Sequence, residues 1–238
     1  MKIFNSIYYF FNILHKKFKS RKISYSYGSI DSLLKYIFKN QKKGLYIDVG
    51  CHHPVMNNNT YLLYRNGWHG INIDLDPKNI DLFKYFRTKD ENINCAVSSA
   101  TGEKELFFYH DKSPINTIEK SAADYQQSIV KKIKKIKTQT LNSIIDNSKF
   151  KNEQIDLVSI DVEGHEMEVV KGFNFKKYKP NVVVIEYLDL SAKKLEIKNL
   201  NINNVLKSEI YNYMVSQNYI LVNWLHSDLV FVNNLFRD

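Results

Sequence analysis

Apolar residues recur at two different spacings along the chain, and each spacing predicts one type of element. Behind Ser29, a potential helix cap, apolar residues return every three or four positions up to residue 39, which predicts an amphipathic helix. Largely apolar runs at residues 45–49, 155–160 and 182–185 instead predict buried strands, because strands covered on both faces carry few polar residues.

Other segments continue this alternation of strands and helices. We predict helices at residues 60–66, from Asp76-Pro77 onward, at 121–137, at 141–145, before Gly172 and at 203–217, and strands at 70–74, 92–97, 106–109, 219–224 and 229–232. The last two strands must be antiparallel, since parallel neighbours need a connection of about a dozen residues. The predicted fold class is therefore a doubly wound, Rossmann-like α/β sheet, mostly parallel, with an antiparallel C-terminal hairpin.

The length of 238 residues corresponds to one ordinary domain. We predict an N-terminal extension at residues 1–26 and a single domain at residues 27–238. The two cysteines, Cys51 and Cys95, match no zinc-binding spacing, and a chain of this size needs no disulfides. These features favour a reduced, cytoplasmic protein.

The first twenty residues place an apolar run before a basic cluster that includes Lys16, Lys17 and Lys19. The run is shorter than the ~20 apolar residues that span a bilayer, and no cleavage site of small residues follows it. An interfacial helix, with its lysines near lipid phosphates, would make peripheral contact with the inner face of the membrane. A helix packed on the domain explains the pattern equally well.

The net charge of +9 is compatible with phosphate-bearing partners. Lysines are nevertheless spread along the whole chain and form no single patch interleaved with aromatic residues, so we predict no nucleic-acid partner. The densest run, at residues 131–137, is interpreted as the solvated face of the helix predicted there. Guidance of an anionic substrate is the alternative.

The loop after the first strand, with the sequence YIDVGCHHP, faces the edge of the sheet where such folds bind ligands. Asp48 ends the strand and Gly50 permits a tight turn. Cys51 and His52 stand where a pyrophosphate-binding loop carries further glycines. Asp74 closes the second strand, where such folds place an acid that binds ribose hydroxyls. A ligand with a ribose but no pyrophosphate, S-adenosylmethionine, therefore suits this loop better than NAD.

Ionisable side chains crowd the end of the fourth strand. They are Asp161, Glu163, His165 and Glu166, and Glu186 ends the neighbouring strand. Because neighbouring strands lie ~4.8 Å apart, Asp161 and Glu186 would repel each other unless they are protonated, paired with a cation or bridged by a metal. The pair is compatible with a Mg²⁺ site. In the alternative without metal, Asp161 holds an ammonium group of the ligand and Glu163 bonds the N-terminus of the following helix.

Histidine is the commonest general base in enzymes, and three histidines lie near the predicted ligand. His52 and His53 belong to the loop after the first strand, and His165 lies at the start of the opposing helix. His52 is also counted with the cofactor-binding residues of that loop. His69, in a turn, is interpreted as structural.

Together these motifs resemble the FkbM family of S-adenosylmethionine-dependent methyltransferases from about Gly44 to Val232. The most specific segment is IDVEG at residues 160–164. YIDVGCHHP, NNNTYLLYRNGWHGINIDLDP and NINCAVSSATGEKEL resemble a branch common among enzymes of bacterial surface polysaccharides. The resemblance implies the methyltransferase form of the Rossmann sheet and methyl transfer to a hydroxyl, often on a sugar or a polyketide.

The resemblance also implies roles for individual residues. These are Asp48, Gly50 and Cys51 for the methionine part of the cofactor, Asp74 for its ribose, Cys95 or Ala96 for the adenine edge, and Asp161 for the methionine or the substrate. Cys51 departs from the family loop, where alanine is common. The catalytic base is not uniform in the family.

We therefore expect an in-line displacement in which a sugar hydroxyl attacks the sulfonium methyl group. His53, or failing that His165, would remove the hydroxyl proton, with Asp161 as the third catalytic residue. Two other classes remain as alternatives: a nicotinamide-dependent oxidoreductase built on the same sheet, and a non-catalytic module that binds nucleic acid or a membrane surface.

Overall fold

A seven-stranded sheet forms the centre of the molecule. The computed structural model describes residues 2–19, 23–125, 129–187 and 201–237. Its strands are β1 (Leu45–Val49), β2 (His69–Asp74), β3 (Glu91–Asn94), β4 (Ala96–Val97), β5 (Gly102–Phe108), β6 (Lys132–Gln139), β7 (Ile155–Ile160), β8 (Val182–Glu186), β9 (Tyr219–Leu225) and β10 (Asp228–Asn233).

The main sheet has the strand order β3-β2-β1-β7-β8-β10-β9. The first five of these strands are parallel to one another, and β10 is antiparallel to both of its neighbours. Strand order reverses between β1 and β7, which creates the switch point where open α/β sheets bind ligands. The predicted fold class, with its antiparallel C-terminal hairpin, is confirmed.

Helices cover both faces of the main sheet. The helices of the described residues are α1 (Lys2–Lys19), α2 (Ile30–Ile37), α3 (Tyr61–Arg65), α4 (Pro77–Phe86), α5 (Lys120–Tyr125), α6 (Leu141–Asn147), α7 (Glu166–Lys171), α8 (Phe175–Tyr178), α9 (Ile202–Lys207), α10 (Glu209–Ser216) and α11 (Asn234–Arg237). In β8, Val183 and Ile185 belong to a core with residues of α6, α7 and α10, whereas Val182 and Val184 belong to a core with residues of α2 and α3. Burial on both faces explains why the central strands are largely apolar.

Residues 132–139 form strand β6, so the helix predicted over residues 121–137 is wrong from residue 129 onward, and its residues 126–128 lie outside the described residues. β6 pairs in antiparallel fashion with β5 and in parallel with β4, in a second sheet of three strands. Ile133 and Ile136 have a helical spacing, but residues three apart on a strand face opposite sides. Pairing of the backbone with β5 therefore overrides the local pattern. The lysines interpreted as a helix face lie on this strand, where the Lys134 ammonium is 3.6 Å from the centre of the Phe108 ring.

Helix ends agree with the sequence patterns where a side chain caps them. Asp76 caps α4 as predicted, accepting a hydrogen bond from a backbone N–H of the first turn. Ser29 makes no capping bond to α2, because its backbone is left-handed. The helix predicted at residues 203–217 is divided, since Ser208 is extended and its hydroxyl caps α10 by accepting from Tyr211 N at 3.2 Å.

Candidate active site

A cavity of about 630 Å³ opens at the carboxyl ends of the parallel strands. Ligands bind at this edge in α/β sheets, and the volume suits a molecule of cofactor size. Among the predicted site residues, the cavity is lined by Gly50, His52, Asp74, Cys95, Ala96, Asp161, His165 and Glu186. The predicted residues outside its wall are Asp48, Cys51 and His53.

The turn after β1 brings the backbone close to two neighbouring strands. Gly50 N and Cys51 N both donate to the carbonyl oxygen of Ile73, at 2.8 and 3.1 Å, and so tie the turn to the end of β2. Gly50 has a φ of +81°, and a Cβ at this position would overlap the carbonyl oxygen of Asp161. Only glycine fits here. The floor of the cavity is therefore backbone, which leaves room for a ligand.

Asp74 ends β2 in the wall of the cavity. Its Oδ1 accepts from Asp76 N at 2.7 Å and from Asn79 Nδ2 at 3.2 Å, and its Oδ2 accepts from His52 N at 2.8 Å. Burial raises the pKa of Asp74 to about 6, so the carboxylate is ionised at neutral pH. A carboxylate oxygen has two acceptor sites, which leaves Oδ2 able to accept from a ligand hydroxyl.

An apolar wall lies next to Asp74. The strand predicted at residues 92–97 is divided at Cys95, which lies between β3 and β4. Cys95, Ala96 and Val97 line the cavity together with Ile118, which packs in one apolar cluster with Ala96. This wall suits a flat, weakly polar group such as an adenine ring.

Asp48 turns away from the cavity and supports the loop after β1. Its Oδ2 accepts from Asn58 Nδ2 at 3.0 Å and from Thr60 Oγ1 at 2.7 Å. Burial raises the pKa of Asp48, and the charge of Arg87 opposes that rise. The role implied by the resemblance, contact with the methionine part of the cofactor, therefore stays a prediction that this side-chain orientation does not favour.

Arg87, which sequence analysis missed, holds the same loop. The side chain is fully buried, and its guanidinium donates to five acceptors: Pro54 O, Asn58 Oδ1, Thr60 Oγ1, Tyr46 Oη and Asn72 Oδ1. The residue follows α4 as an isolated arginine, and no pattern in the sequence distinguishes it from a surface arginine. Its contacts fix the loop that runs from the cavity floor to α3.

The side chains of Cys51 and His53 also stabilise the loop after β1. Cys51 packs against Ile80 and Phe83 of α4. His53 Nδ1 accepts from the backbone N–H groups of Val55 and Met56, at 3.1 and 3.0 Å. Burial lowers the pKa of His53, which keeps the ring neutral for this acceptor role.

Three carboxylates meet at the other end of the cavity. One oxygen from each of Asp161, Glu163 and Glu186 lies within 4.8 Å of the other two, so the predicted approach of Asp161 to Glu186 is confirmed. Asp161 is open to the cavity, yet the surrounding protein raises its pKa. Burial, reinforced by the charge of Asp161, raises the pKa of Glu186 well above its usual value. The group must therefore hold a proton or a cation at neutral pH.

Asp228 adds a fourth carboxylate that sequence analysis missed. It is the first residue of β10, where it lies opposite Glu186 in the antiparallel pair. Burial, followed by the charge of Asp161, raises the pKa of Asp228 to about 7. The sequence placed Asp228 in a turn, and only the register of β10 on β8 reveals its position in the site.

Glu166 bonds the turn before α7. Its Oε1 accepts from Val162 N at 3.0 Å and from Gly164 N at 3.1 Å. The bond to the helix N-terminus predicted for Glu163 in the alternative without metal stays a prediction, and Glu166, which begins the helix, supplies these two bonds. Burial raises the pKa of Glu166 to about 7.

His165 lies in the cavity wall with both ring nitrogens in hydrogen bonds. Nε2 is 3.0 Å from Ser98 Oγ, and Nδ1 is 3.0 Å from Glu119 Oε2. Burial lowers the pKa of His165. His69 lies away from the cavity, 2.8 Å from Glu153, in agreement with a structural role.

The mouth of the cavity carries aromatic and polar side chains. Tyr27 and His226 meet edge to face, with their ring centres 4.8 Å apart. Lys112, Ser113 and Asn116 come from the loop after β5. Sequence analysis singled out none of these residues, because they belong to irregular segments that only the fold brings to the sheet edge.

Two buried polar atoms in the described part of the chain have no hydrogen-bond partner, Ser113 Oγ and Glu186 Oε2. Both residues line this cavity. Buried polar atoms without partners are rare in native proteins. Their presence in the wall of one cavity indicates that a polar ligand completes the site.

The sheet order and the position of the cavity define a Rossmann-like methyltransferase. The family model of the methyltransferase FkbM domain matches residues 48–221, well over half of the chain, so the chain belongs to the FkbM methyltransferase family. The resemblance noted in the sequence is confirmed, and the protein is a methyltransferase rather than an oxidoreductase or a binding module. Methyltransferases of this kind generally use S-adenosylmethionine. No curated protein and no solved structure matches the chain significantly.

Proposed function

We propose that the protein is an S-adenosylmethionine-dependent O-methyltransferase that acts on a carbohydrate hydroxyl, in a bacterial surface polysaccharide or its precursor. The cavity supports this proposal, because it contains two buried polar atoms without a hydrogen-bond partner. It lies at the sheet edge where a Rossmann-like fold binds its cofactor. The polysaccharide context rests on the resemblance of the sequence motifs to that branch of the family.

The residues around the cavity suit S-adenosylmethionine. Gly50 leaves space beside the backbone, and Asp74 Oδ2 keeps an acceptor site for a ribose hydroxyl. Cys95 and Ala96 offer an apolar surface for adenine. When bound, S-adenosylmethionine supplies an electrophilic methyl group on a cationic sulfonium, and the carboxylate of Asp161 faces the same cavity.

The mouth of the cavity suits a sugar. Sugar rings present apolar C–H faces that pack on exposed aromatic rings, and Tyr27 offers such a ring. Sugar hydroxyls need donors and acceptors, which Ser113, Asn116 and Lys112 provide. A neutral or phosphate-bearing carbohydrate therefore matches this end of the cavity.

Asp161 is the proposed general base. Its side chain is open to the cavity, and its raised pKa makes it a better proton acceptor than an ordinary carboxylate. Glu186 retains its own proton because it is more deeply buried. His53 lies outside the cavity wall and His165 is held by two side chains, so we assign both to supporting the site. Alignment of the reacting groups contributes more than the base does.

The spacing of the carboxylates favours a second role for the same group. Three oxygens within 4.8 Å of one another are arranged as ligands for a divalent cation such as Mg²⁺. A cation there would orient the acceptor hydroxyl and lower its pKa. Removal of metal with EDTA and its replacement with Mg²⁺ separate the two roles: full activity in EDTA identifies the base, and loss that Mg²⁺ restores identifies the metal site.

Calorimetry with S-adenosylmethionine tests the cofactor. We expect binding that weakens at least about tenfold in Asp74→Asn, since a ribose hydroxyl loses a charged acceptor. Asp81→Asn, at an exposed position of α4, is the matched control and should bind normally. Circular dichroism verifies that both variants are folded. Equal binding by Asp74→Asn, or preference for NAD, would remove the assigned cofactor site.

Methyl transfer from labelled S-adenosylmethionine to a panel of nucleotide-activated hexoses tests the acceptor. We expect label on a sugar hydroxyl. Transfer to nitrogen or carbon, or to protein or nucleic acid alone, contradicts the proposed acceptor class.

A further inference from the structure

Helix α1 has one continuous apolar face. At 100° per residue, the side chains of Ile3, Phe4, Ile7, Phe10, Phe11 and Leu14 fall within one sector of the helix. The opposite side carries Asn5, Asn12 and Lys16. The helix is amphipathic along its length, but no described helix is both long and apolar enough to cross a membrane.

This apolar face is exposed. Phe4 is 77%, Phe10 63% and Phe11 62% accessible to solvent, so the alternative in which the helix packs on the domain is wrong for these side chains. Monomeric soluble proteins rarely expose contiguous apolar surface of this extent, and such surface marks an interaction site. A surface that can bury the whole face must cover the helix along its length.

Charge identifies the kind of surface. The first thirty residues contain Lys2, Lys16, Lys17, Lys19, Arg21 and Lys22 but no Asp or Glu. Basic residues are attracted to anionic lipid headgroups, and amphipathic helices with aromatic residues on the apolar side lie in the plane of the bilayer interface. A second copy of this chain would instead bring its own lysines against these, with repulsion.

We propose that α1 binds the surface of an anionic phospholipid membrane, with its apolar face in the headgroup region. This inference concerns a surface outside the active-site cavity and does not depend on the proposed function. Seven residues lie between the end of α1 at Lys19 and Tyr27 at the cavity mouth, a distance of eight residue steps along the chain. An extended chain of that length spans at most about 30 Å, so the bound helix holds the cavity close to the membrane.

Ser24, Tyr25 and Ser26 fix the chain that follows α1. Their hydroxyl or N–H groups donate to the carboxylate of Asp31 in α2, at 2.6, 2.6 and 3.0 Å. The point where the chain leaves the domain is therefore well defined. Attachment through α1 would restrict the cavity mouth to the neighbourhood of the lipid surface and favour acceptors that reside there.

Flotation of the full-length protein with vesicles tests the proposal. We expect binding to vesicles that contain phosphatidylglycerol, weaker binding to phosphatidylcholine alone, and loss of the difference at high salt. The double variant Phe10→Ser/Phe11→Ser should bind at least about tenfold more weakly, because two large apolar side chains are removed from the buried face. Tyr9→Ser is the matched control, since Tyr9 is a neighbouring exposed aromatic residue on the polar side of α1.

Three outcomes overturn the proposal. One is absence of binding to either vesicle. Another is equal binding by the Phe10→Ser/Phe11→Ser variant and the wild type. The third is a dimer, measured by light scattering, that the same variant dissociates while vesicle binding is absent, which would assign the face to a second copy. Circular dichroism, measured on the same samples, establishes that each variant is folded and keeps this test separate from that of the catalytic function.

Discussion

Replacement of Arg87 by methionine should unfold much of the site that this arginine organises. The guanidinium is fully buried and donates to five acceptors around the loop after β1. Methionine preserves part of the side-chain volume but donates no hydrogen bond. The variant therefore leaves buried acceptors unpaired and removes the positive charge nearest to the carboxylates of Asp48 and Asp90.

The expected loss is about 3–5 kcal/mol in the free energy of unfolding, the range for removing one partner of a buried charged group. Two contacts dominate this value: the donation from Nη2 to Pro54 O at 2.7 Å and to Asn58 Oδ1 at 2.6 Å. Because whole domains are stable by only about 5–15 kcal/mol, the methionine variant approaches the limit of folding. Arg87→Lys should lose less, since it keeps the charge but not the planar set of donors.

Urea unfolding followed by circular dichroism measures both variants. Arg65→Met is the control, because Arg65 is exposed and donates to the hydroxyl of Tyr25, and it should cost less than about 1 kcal/mol. A loss below about 1 kcal/mol for Arg87→Met would refute the reasoning, since it would mean that the buried network contributes no more than a surface contact. The affinity for S-adenosylmethionine should also fall in Arg87→Lys. The reason is that Arg87 fixes the loop that begins at the cavity floor.

Two further predictions concern the carboxylates. Asp228→Asn should raise the free energy of unfolding by roughly 4 kcal/mol at about pH 8.5 and change it little at about pH 4. The reason is that the folded pKa of Asp228, about 7, exceeds the ordinary value of 3.8, so stability falls as pH rises through that interval and asparagine removes the loss. Urea unfolding of the wild type and the variant at the two pH values tests this prediction. If the difference in their free energies of unfolding is the same at both pH values, the assignment is contradicted. Asp161→Asn should lower kcat about 10²–10⁴-fold, whereas His53→Ala should stay within about threefold; the reverse result in a methyl-transfer assay would restore His53 as the base.

Secondary-structure elements whose own residues carry a clear apolar pattern were predictable from the sequence. The central strands β7 and β8 are buried on both faces, which the apolar runs reveal directly. Strand β6 was not predictable, because its partner β5 lies more than twenty residues earlier and the spacing of Ile133 and Ile136 is helical. The division at residue 26 between extension and domain stays a prediction.

Positions at strand ends were predictable, but the directions of side chains were not. Asp48 and Asp74 both belong to strand ends, yet Asp48 pairs in register with Asn72, two residues before Asp74. Asp48 therefore lies deeper and turns toward Thr60 and Asn58, while Asp74 reaches the cavity. Arg87 decides this difference, and it comes from a helix end that carries no recognisable pattern. Sequence position thus identified the edge of the sheet, and packing selected which acids face the ligand.

The charge of the site has the opposite sign from the charge of the chain. The protein carries a net charge of +9, yet the cavity is lined by Asp161, Glu163, Glu186 and Asp228. Glu186 retains its proton, but charges surrounded by protein are screened less than surface charges, so the acids of this group that are ionised outweigh distant lysines in selecting a ligand. With the proposed cofactor, they favour the cationic sulfonium over the neutral thioether that methyl transfer leaves. The same field that attracts the cofactor therefore releases the spent product, which an anion-selective site, suggested by composition alone, would not do.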